Sequence, residues 1–404
     1  MVAVAIGWEI YERTHQKMAL GNVGLALVLP VLLFSLAAGH FADRHDRRFV
    51  CAWALGLRLF SSLGLAALSF QEGPVAWMYA CLVVQGTSRA FMGPARSSLF
   101  PQLLPMDAIA NGVTWNSGGF HIATVIGPAV GGVAIAAFGG AGWIYVIDVA
   151  TSIFNMLVIL SLKPIRAVQS SKEPATWASV MGGLQFVFRT KVILAAVTLD
   201  LFAVLLGGAT ALLPVYASDI LHVDATGLGW LRAAPALGAV SMAGLIAYRQ
   251  PMQRAGVALL WSVAIFGVAT IVFGYSEDFT LSMGMLILLG AVDQVSVQIR
   301  HTLITLRTPD EMRGRVAAVN SVFISSSNQL GEAESGYVAE FFGPVASVVS
   351  GGIGTLIVVL AAAIGWPELR RLGKLEPEPS AASDEITTRP AEGKPPDESA
   401  SKPA

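Results

Sequence analysis

Charge is what this sequence has least of. Only 13% of its 404 residues are Asp, Glu, Lys or Arg, about half the quarter typical of soluble domains, which excludes a water-soluble globular fold. The 26 basic and 27 acidic residues leave a net charge of −1, so there is no basic excess of the kind that binds nucleic acid. The only two cysteines, Cys51 and Cys81, sit inside apolar runs and read as small buried hydrophobes, not as a disulfide frame or a metal set. Signatures of catalysis are missing too: there is no GxxxxGK[ST] phosphate loop, no HExxH and no GxSxG. An enzyme, a metal site, a bound cofactor and ATP as energy source are therefore not expected.

What is present is hydrophobic residue, 54% of the chain, together with 41 glycines. A helix needs about 20 apolar residues to cross a bilayer, and eleven such stretches are expected, at 19–40, 49–69, 75–97, 109–137, 142–163, 192–216, 226–247, 255–275, 279–299, 313–340 and 343–366. A twelfth at 1–12 is short. The chain divides into a first helical half (1–163), a polar connector (164–191), a second helical half (192–366) and a tail (367–404). From about Glu376 the tail is rich in Pro, Glu, Ser and Lys and is expected to be disordered. Within the connector, Trp177 to Phe188 is expected to form an amphipathic helix on the membrane surface.

Basic residues mark the cytoplasmic side of a membrane protein. One set of connectors carries Arg44, Arg47, Arg48, Arg96, Lys163, Arg166, Arg249, Arg254, Arg300, Arg307, Arg313 and Arg315, and the other only Arg13 and Lys17. The tail and the central connector are thus expected in the cytoplasm of a multi-pass inner or plasma membrane protein, with lipid as its surroundings.

The halves repeat. An offset of 204 brings Gly86 onto Gly290, Arg96 onto Arg300, Asn116 onto Asn320 and Gly132 onto Gly336, and an offset of 205 brings Pro30 onto Pro235 and Gly39 onto Gly244. Matched spans run in the same direction, so two parallel repeats of six helices are expected, a plan common in transporters. Tyr11 aligns with Tyr216, which sets Met1 opposite Leu206 in the middle of its counterpart span. The first helix is therefore expected to be truncated at its N-terminus.

Between the second and third spans lies Gly39-His-Phe-Ala-Asp43-Arg44-His-Asp46-Arg47-Arg48. Here the chain resembles the major facilitator superfamily, whose signature is Gly, three residues, Asp-Arg and then a Gly-Arg-Lys/Arg cluster; Asp46 stands where glycine is usual. With GWEIYERT from Gly7, TPDEMRGRVAAVNS from Thr308 and NQLGEAESG from Asn328, the similarity extends to the enterobactin-exporter-like branch. The resemblance implies an all-α membrane fold of two six-helix repeats around a central cavity. It also implies export of a small molecule, a siderophore or drug, coupled to proton entry. In such proteins the aspartate at this position docks near the start of the eleventh helix and holds the cytoplasmic side shut. The resemblance thereby assigns Gly39, Asp43, Arg44, Arg47 and Arg48 to a gate, with Arg313 as a partner. Thr308-Pro309-Asp310-Glu311 reads as a capping box that starts that helix, with proline at its first position.

Ionisable groups inside spans are costly and mark a pathway, a relay or a structural pair. Arg89 and Asp293 are equivalent at offset 204 and are expected to face each other across the cavity. Asp200 is a candidate proton carrier. Glu332 and Glu334 point about 200° apart on a helix and cannot share a site. Arg58, Asp148 and Arg232 are expected in structural pairs. The resulting expectation is a proton-coupled exporter working by alternating access. The rivals are a non-transporting sensor, an inactive truncated product and a facilitated importer.

Overall fold

The computed structural model describes residues 1–162, 177–248 and 253–373. The expected tail disorder, the connector over 163–176, Arg249 and the side chains of Asp43, Asp310 and Glu311 lie outside the described residues.

The described chain is all helix. In order these are α1 (Val2–Thr14), α2 (Lys17–Arg44), α3 (Arg47–Phe70), α4 (Val75–Leu99), α5 (Ile109–Phe138), α6 (Gly142–Ser161), α7 (Trp177–Arg189), α8 (Lys191–Leu206), α9 (Ala225–Tyr248), α10 (Ala255–Tyr275), α11 (Phe279–Arg307), α12 (Asp310–Phe342), α13 (Pro344–Gly365) and a short α14 (Pro367–Arg370), with brief turns between. Among the described residues nine helices are long and apolar enough to cross a membrane. The two of the eleven expected spans outside that set, at 75–97 and 313–340, do form helices, α4 and α12. Their polar residues are the reason: Gln85, Arg89 and Arg96 in α4, and Asn320, Asn328, Gln329, Glu332 and Glu334 in α12.

Helix packing repeats between the halves. Helix α2 packs on α4, and α3 packs on both α4 and α6; in the same way α9 packs on α11, and α10 on α11 and α13. The glycines matched by the sequence repeat sit in comparable places: Gly86 lies against the Leu27 carbonyl and the Pro30 ring, and Gly290 lies against the Pro235 backbone. In lipid, where apolar side chains gain nothing by leaving their surroundings, such small-residue contacts hold helices together.

Two crossings join the halves, α5 on α9 and α12 on α2. Both are glycine contacts. A Cβ on Gly229 would lie 2.8 Å from the Pro128 carbonyl oxygen and 2.9 Å from Gly132, and a Cβ on Gly336 would lie 2.6 Å from the Gly21 nitrogen. Nearby, the Tyr11 hydroxyl donates to Asp219, and the Tyr337 hydroxyl donates to Asn22 Oδ1 at 2.8 Å. Glu340 accepts from the backbone N–H groups of Lys17 and Met18 at 2.8 and 3.1 Å. It thus caps from α12 the first turn of α2, whose N–H groups have no partner within their own helix. This end of the bundle is shut.

The opposite end, which carries Arg44, Arg47, Arg48, Arg96 and Arg313, is splayed. Residues 113–120 of α5 are all exposed. That stretch lies on the basic side of Gly127 and Gly131, where the start of α1 meets α5. Leu32, Leu33 and Phe34 of α2 and Tyr248 of α9 are exposed at the same end.

Several local expectations change. The span expected at 192–216 breaks after Leu206 at Gly207-Gly208, where Gly208 packs against the Gly331 backbone of α12. Helix α12 begins at Asp310 with Pro309 as its N-cap, one position before the first-turn place expected for proline, and the Thr308 hydroxyl has no hydrogen-bond partner. The connector helix α7 forms as expected, but its Gly183 lies against the Arg315 backbone and Val319. It is therefore packed onto α12.

Candidate functional site

A cleft enclosing about 570 Å³ of empty space, part of it open to solvent, lies between the halves. Its walls come from α1, α2, α4, α9 and α12, and from Ala211 after the α8 break. The lining is apolar (Val2, Ile6, Leu20, Val23, Leu27) except for four polar side chains: Arg89, Arg232, Gln329 and Glu332. Glu332 lines the same cleft as both arginines. Among the described residues Arg89, Arg232 and Glu332 form no salt bridge and no hydrogen bond, and the Gln329 Oε1 is likewise unpartnered. Such a pocket, mostly apolar with a few convergent polar groups, is what small-molecule binding requires. The glycine crossing of α12 on α2 roofs it, since Gly24 packs against the Gln329 carbonyl and the Glu332 side chain.

A second, smaller cavity of about 240 Å³ lies wholly within the second half, lined by Asp200, Ser262, Asp293 and Ser296 among others. Arg300 donates to Asp200 through Nη1, and its Nε reaches Ser296 Oγ at 3.3 Å. Asp293 has no hydrogen-bond partner among the described residues. Among these residues Arg300 thus pairs with Asp200 alone, and Asp293 lines the same cavity without a partner.

A family model described as transmembrane secretion effector matches residues 1–390. The chain belongs to that family, a branch of the major facilitator superfamily. It is similar to the enterobactin exporter EntS of Escherichia coli O1:K1, with 24% identity over 386 residues that cover 95% of this chain and 91% of that protein. Among solved structures it resembles a bacterial homologue of the human lysosomal transporter Spinster in an inward-facing, unoccupied conformation. That match has a TM-score of 0.69 and 15% identity, over 92% of this chain and 93% of that one. The nucleoside transporter NupG matches with a TM-score of 0.68 and 14% identity, over 89% and 94%. The protein is therefore a multi-pass membrane transporter of the major facilitator fold, and not a member of an enzyme family.

The site residues fall differently from the expectation. Arg89 and Asp293 do not face each other: Arg89 lines the central cleft with Glu332, and Asp293 lies in the second cavity with Asp200. Equivalence in the repeat put them opposite, but Asp293 turns into its own half. Arg300, counted with the basic connectors, is buried inside α11 and paired with Asp200. Arg58 and Asp148 do pair, at 2.6 Å, with Ser62 donating to the same carboxylate at 2.6 Å. Arg232 is not in that pair and belongs to the cleft. Glu332 lines the cleft and Glu334 does not; Glu334 accepts from Ser335 Oγ at 3.4 Å. Gln329 and Arg232 are the two polar cleft residues not expected there from the sequence. The one signal for Arg232 is its setting, since none of Leu228, Gly229, Pro235 and Ala236, at helical spacing from it, is acidic.

At the splayed end Gly39 has open space around it. Arg47 Nη1 donates to the Ser98 carbonyl at 3.4 Å, at the end of α4, and Arg48 donates to the Leu162 carbonyl after α6. Both interactions favour a cation at a helix C-terminus, and both stay within the first half. Arg44 is exposed. Arg313 Nη2 donates to the Thr305 carbonyl at 3.4 Å. The residue that departs from the family signature has a local reason: Asp46 is the N-cap of α3, accepting from the Arg48 N–H at 2.9 Å and pairing with the Arg48 guanidinium at 2.8 Å.

Proposed function

We infer that the protein is a proton-coupled secondary exporter of a small amphipathic molecule of the siderophore or drug kind. It works by rocking its two helical halves against each other. The observation that carries this reading is the central cleft, lined from both halves and roofed at one end by the glycine crossings. The basic residues at the splayed end assign that end to the cytoplasm, so cargo enters the cleft from inside the cell. The likeness to EntS, 24% identical over nearly the whole chain, supports export and a siderophore-type cargo.

Roles follow from position. Asp200 and Asp293, which line one cavity, are the proton-coupling pair, because carboxylates placed inside a bundle are retained for a pathway or relay. Asp43, Arg44, Arg47 and Arg313 form the gate that closes the splayed end, with Gly39 and Arg48 shaping the turn. While that end is open, Arg47 and Arg48 rest on carbonyls of their own half. Glu334, outside the cleft, packs α12.

Untargeted mass spectrometry of spent medium and cell extract, from iron-starved cells with and without the gene, tests the reading. A compound lost from the medium and retained in the deleted cells is the expected result. Unchanged profiles in both fractions contradict siderophore export.

A further inference from the structure

The charges in the central cleft do not balance. Arg89 enters from α4 in the first half and Arg232 from α9 in the second, while Glu332 is the one carboxylate lining the cleft with them. Each guanidinium presents five N–H donors and no acceptor. Within the cleft, two positive charges and many donors thus meet one negative charge, an unpartnered amide oxygen on Gln329 and otherwise apolar wall. The Arg58–Asp148 pair next to Arg89 is neutral as a unit and leaves the imbalance unchanged.

We propose that Arg89 and Arg232 form a two-sided clamp for an organic oxyanion, so that the cargo class is an acidic molecule with one anionic group on an apolar body. The clamp rests on the transporter reading above and specifies its cargo. Guanidinium matches carboxylate, sulfonate or phosphate oxygens with paired hydrogen bonds. The apolar walls from Val2, Ile6, Leu20, Val23 and Leu27 take the rest of the molecule. Because the two arginines belong to different halves, an anion held by both ties the halves together at the cleft. Binding energy is then available to drive closure in proportion to how much better the closed state engages both arginines. Glu332 lines the same cleft without pairing with either arginine, and its negative charge opposes the anion.

The test uses the full-length protein in lipid nanodiscs and three probes that share one fluorescent body: dansylglycine (anionic), dansylamide (neutral) and dansylcadaverine (cationic). Fluorescence titration is expected to show dansylglycine bound at least tenfold more tightly than dansylamide, with dansylcadaverine weakest. Arg89→Gln and Arg232→Gln are each expected to reduce dansylglycine affinity about tenfold while leaving dansylamide affinity within twofold. A thermal unfolding midpoint close to that of the unaltered protein establishes that each variant is folded. Glu332→Gln is expected to tighten dansylglycine binding, a change that a damaged fold does not produce. Equal affinity for the three probes, tighter binding of the cation, no binding of dansylglycine, or anion preference that survives in both arginine variants overturns the clamp. Uptake of dansylamide into inverted vesicles, measured alongside, distinguishes a failure of transport from a failure of the clamp.

Discussion

Gly336 of α12 rests on Gly21 of α2 so closely that a Cβ on Gly336 would lie 2.7 Å from the Gly21 Cα. That contact, with its counterpart at Gly132 and Gly229, closes the bundle over the cleft. A side chain at Gly336 must push the halves apart at this end, because the atoms it meets are backbone. Gly336→Leu is therefore expected to shift the protein towards the state open at the α2 N-terminus. A cysteine placed at Asn22 should react with a membrane-impermeant maleimide faster in Gly336→Leu than in its absence.

Glu340 strengthens the same closure by capping α2 from the other half. Removing the carboxylate leaves the Lys17 and Met18 N–H groups to water, a loss of roughly 1 kcal/mol by the measure of other helix caps. Glu340→Ala should thus raise the reactivity of the same cysteine by about fivefold, less than Gly336→Leu does.

Asp46 sets a pH limit on the α2–α3 turn. The Arg48 guanidinium beside it holds its carboxyl below the usual carboxylate range. For a group lowered in the folded state, the stabilisation is complete above the unfolded value, near pH 4, and is lost as pH falls through the lower folded value. Asp46→Ala should cost about 1 kcal/mol at pH 7, and the difference from the unaltered protein should vanish in strong acid. Thermal unfolding in detergent from pH 7 down to pH 2 measures this.

Asp148 anchors α6 to α3 through Arg58 and Ser62. Asp148→Ala strands a guanidinium and a buried hydroxyl and should destabilise by roughly 2 kcal/mol, below the cost of breaking a fully buried pair, because the Arg58 side chain is 40% exposed. Asp148→Asn keeps an acceptor for one of the donors and should cost less. Unfolding midpoints in detergent compare the two.

The two carboxylates of the second cavity should separate by phenotype. Asp200→Asn removes the counter-charge of buried Arg300 and should lower stability as well as coupling. Asp293→Asn breaks no hydrogen bond and should leave the unfolding midpoint unchanged while abolishing uphill transport. Downhill exchange of labelled for unlabelled cargo in proteoliposomes should survive in Asp293→Asn.

The fold is legible in the sequence because its causes are local. Hydropathy locates the helices, and the glycines the repeat singles out, Gly86, Gly290, Gly132 and Gly336, all sit at close helix crossings, which demand small residues. The site is legible only as a set of residues. Arg89, Asp200, Asp293 and Glu332 stand out as charges in apolar helices, yet their partners depend on helix rotation, which an offset does not specify. Asp293 therefore lies beside Asp200 rather than opposite Arg89. Arg300 reads as a connector residue in the sequence because α11 runs on past the apolar stretch to Arg307. Asp46 looks like a defect in a motif and is a helix cap.

Rocking of the halves about the central cleft is the central claim, and electron–electron resonance distances test it most directly. Spin labels go on cysteines at Ser117 of α5 and Tyr248 of α9, both exposed at the splayed end, in a chain with Cys51 and Cys81 replaced by alanine. Two distance populations are expected in lipid nanodiscs, the longer one matching the splayed state. Their proportions should change with pH and with bound dansylglycine. A single distance, indifferent to both, would contradict alternating access in this protein.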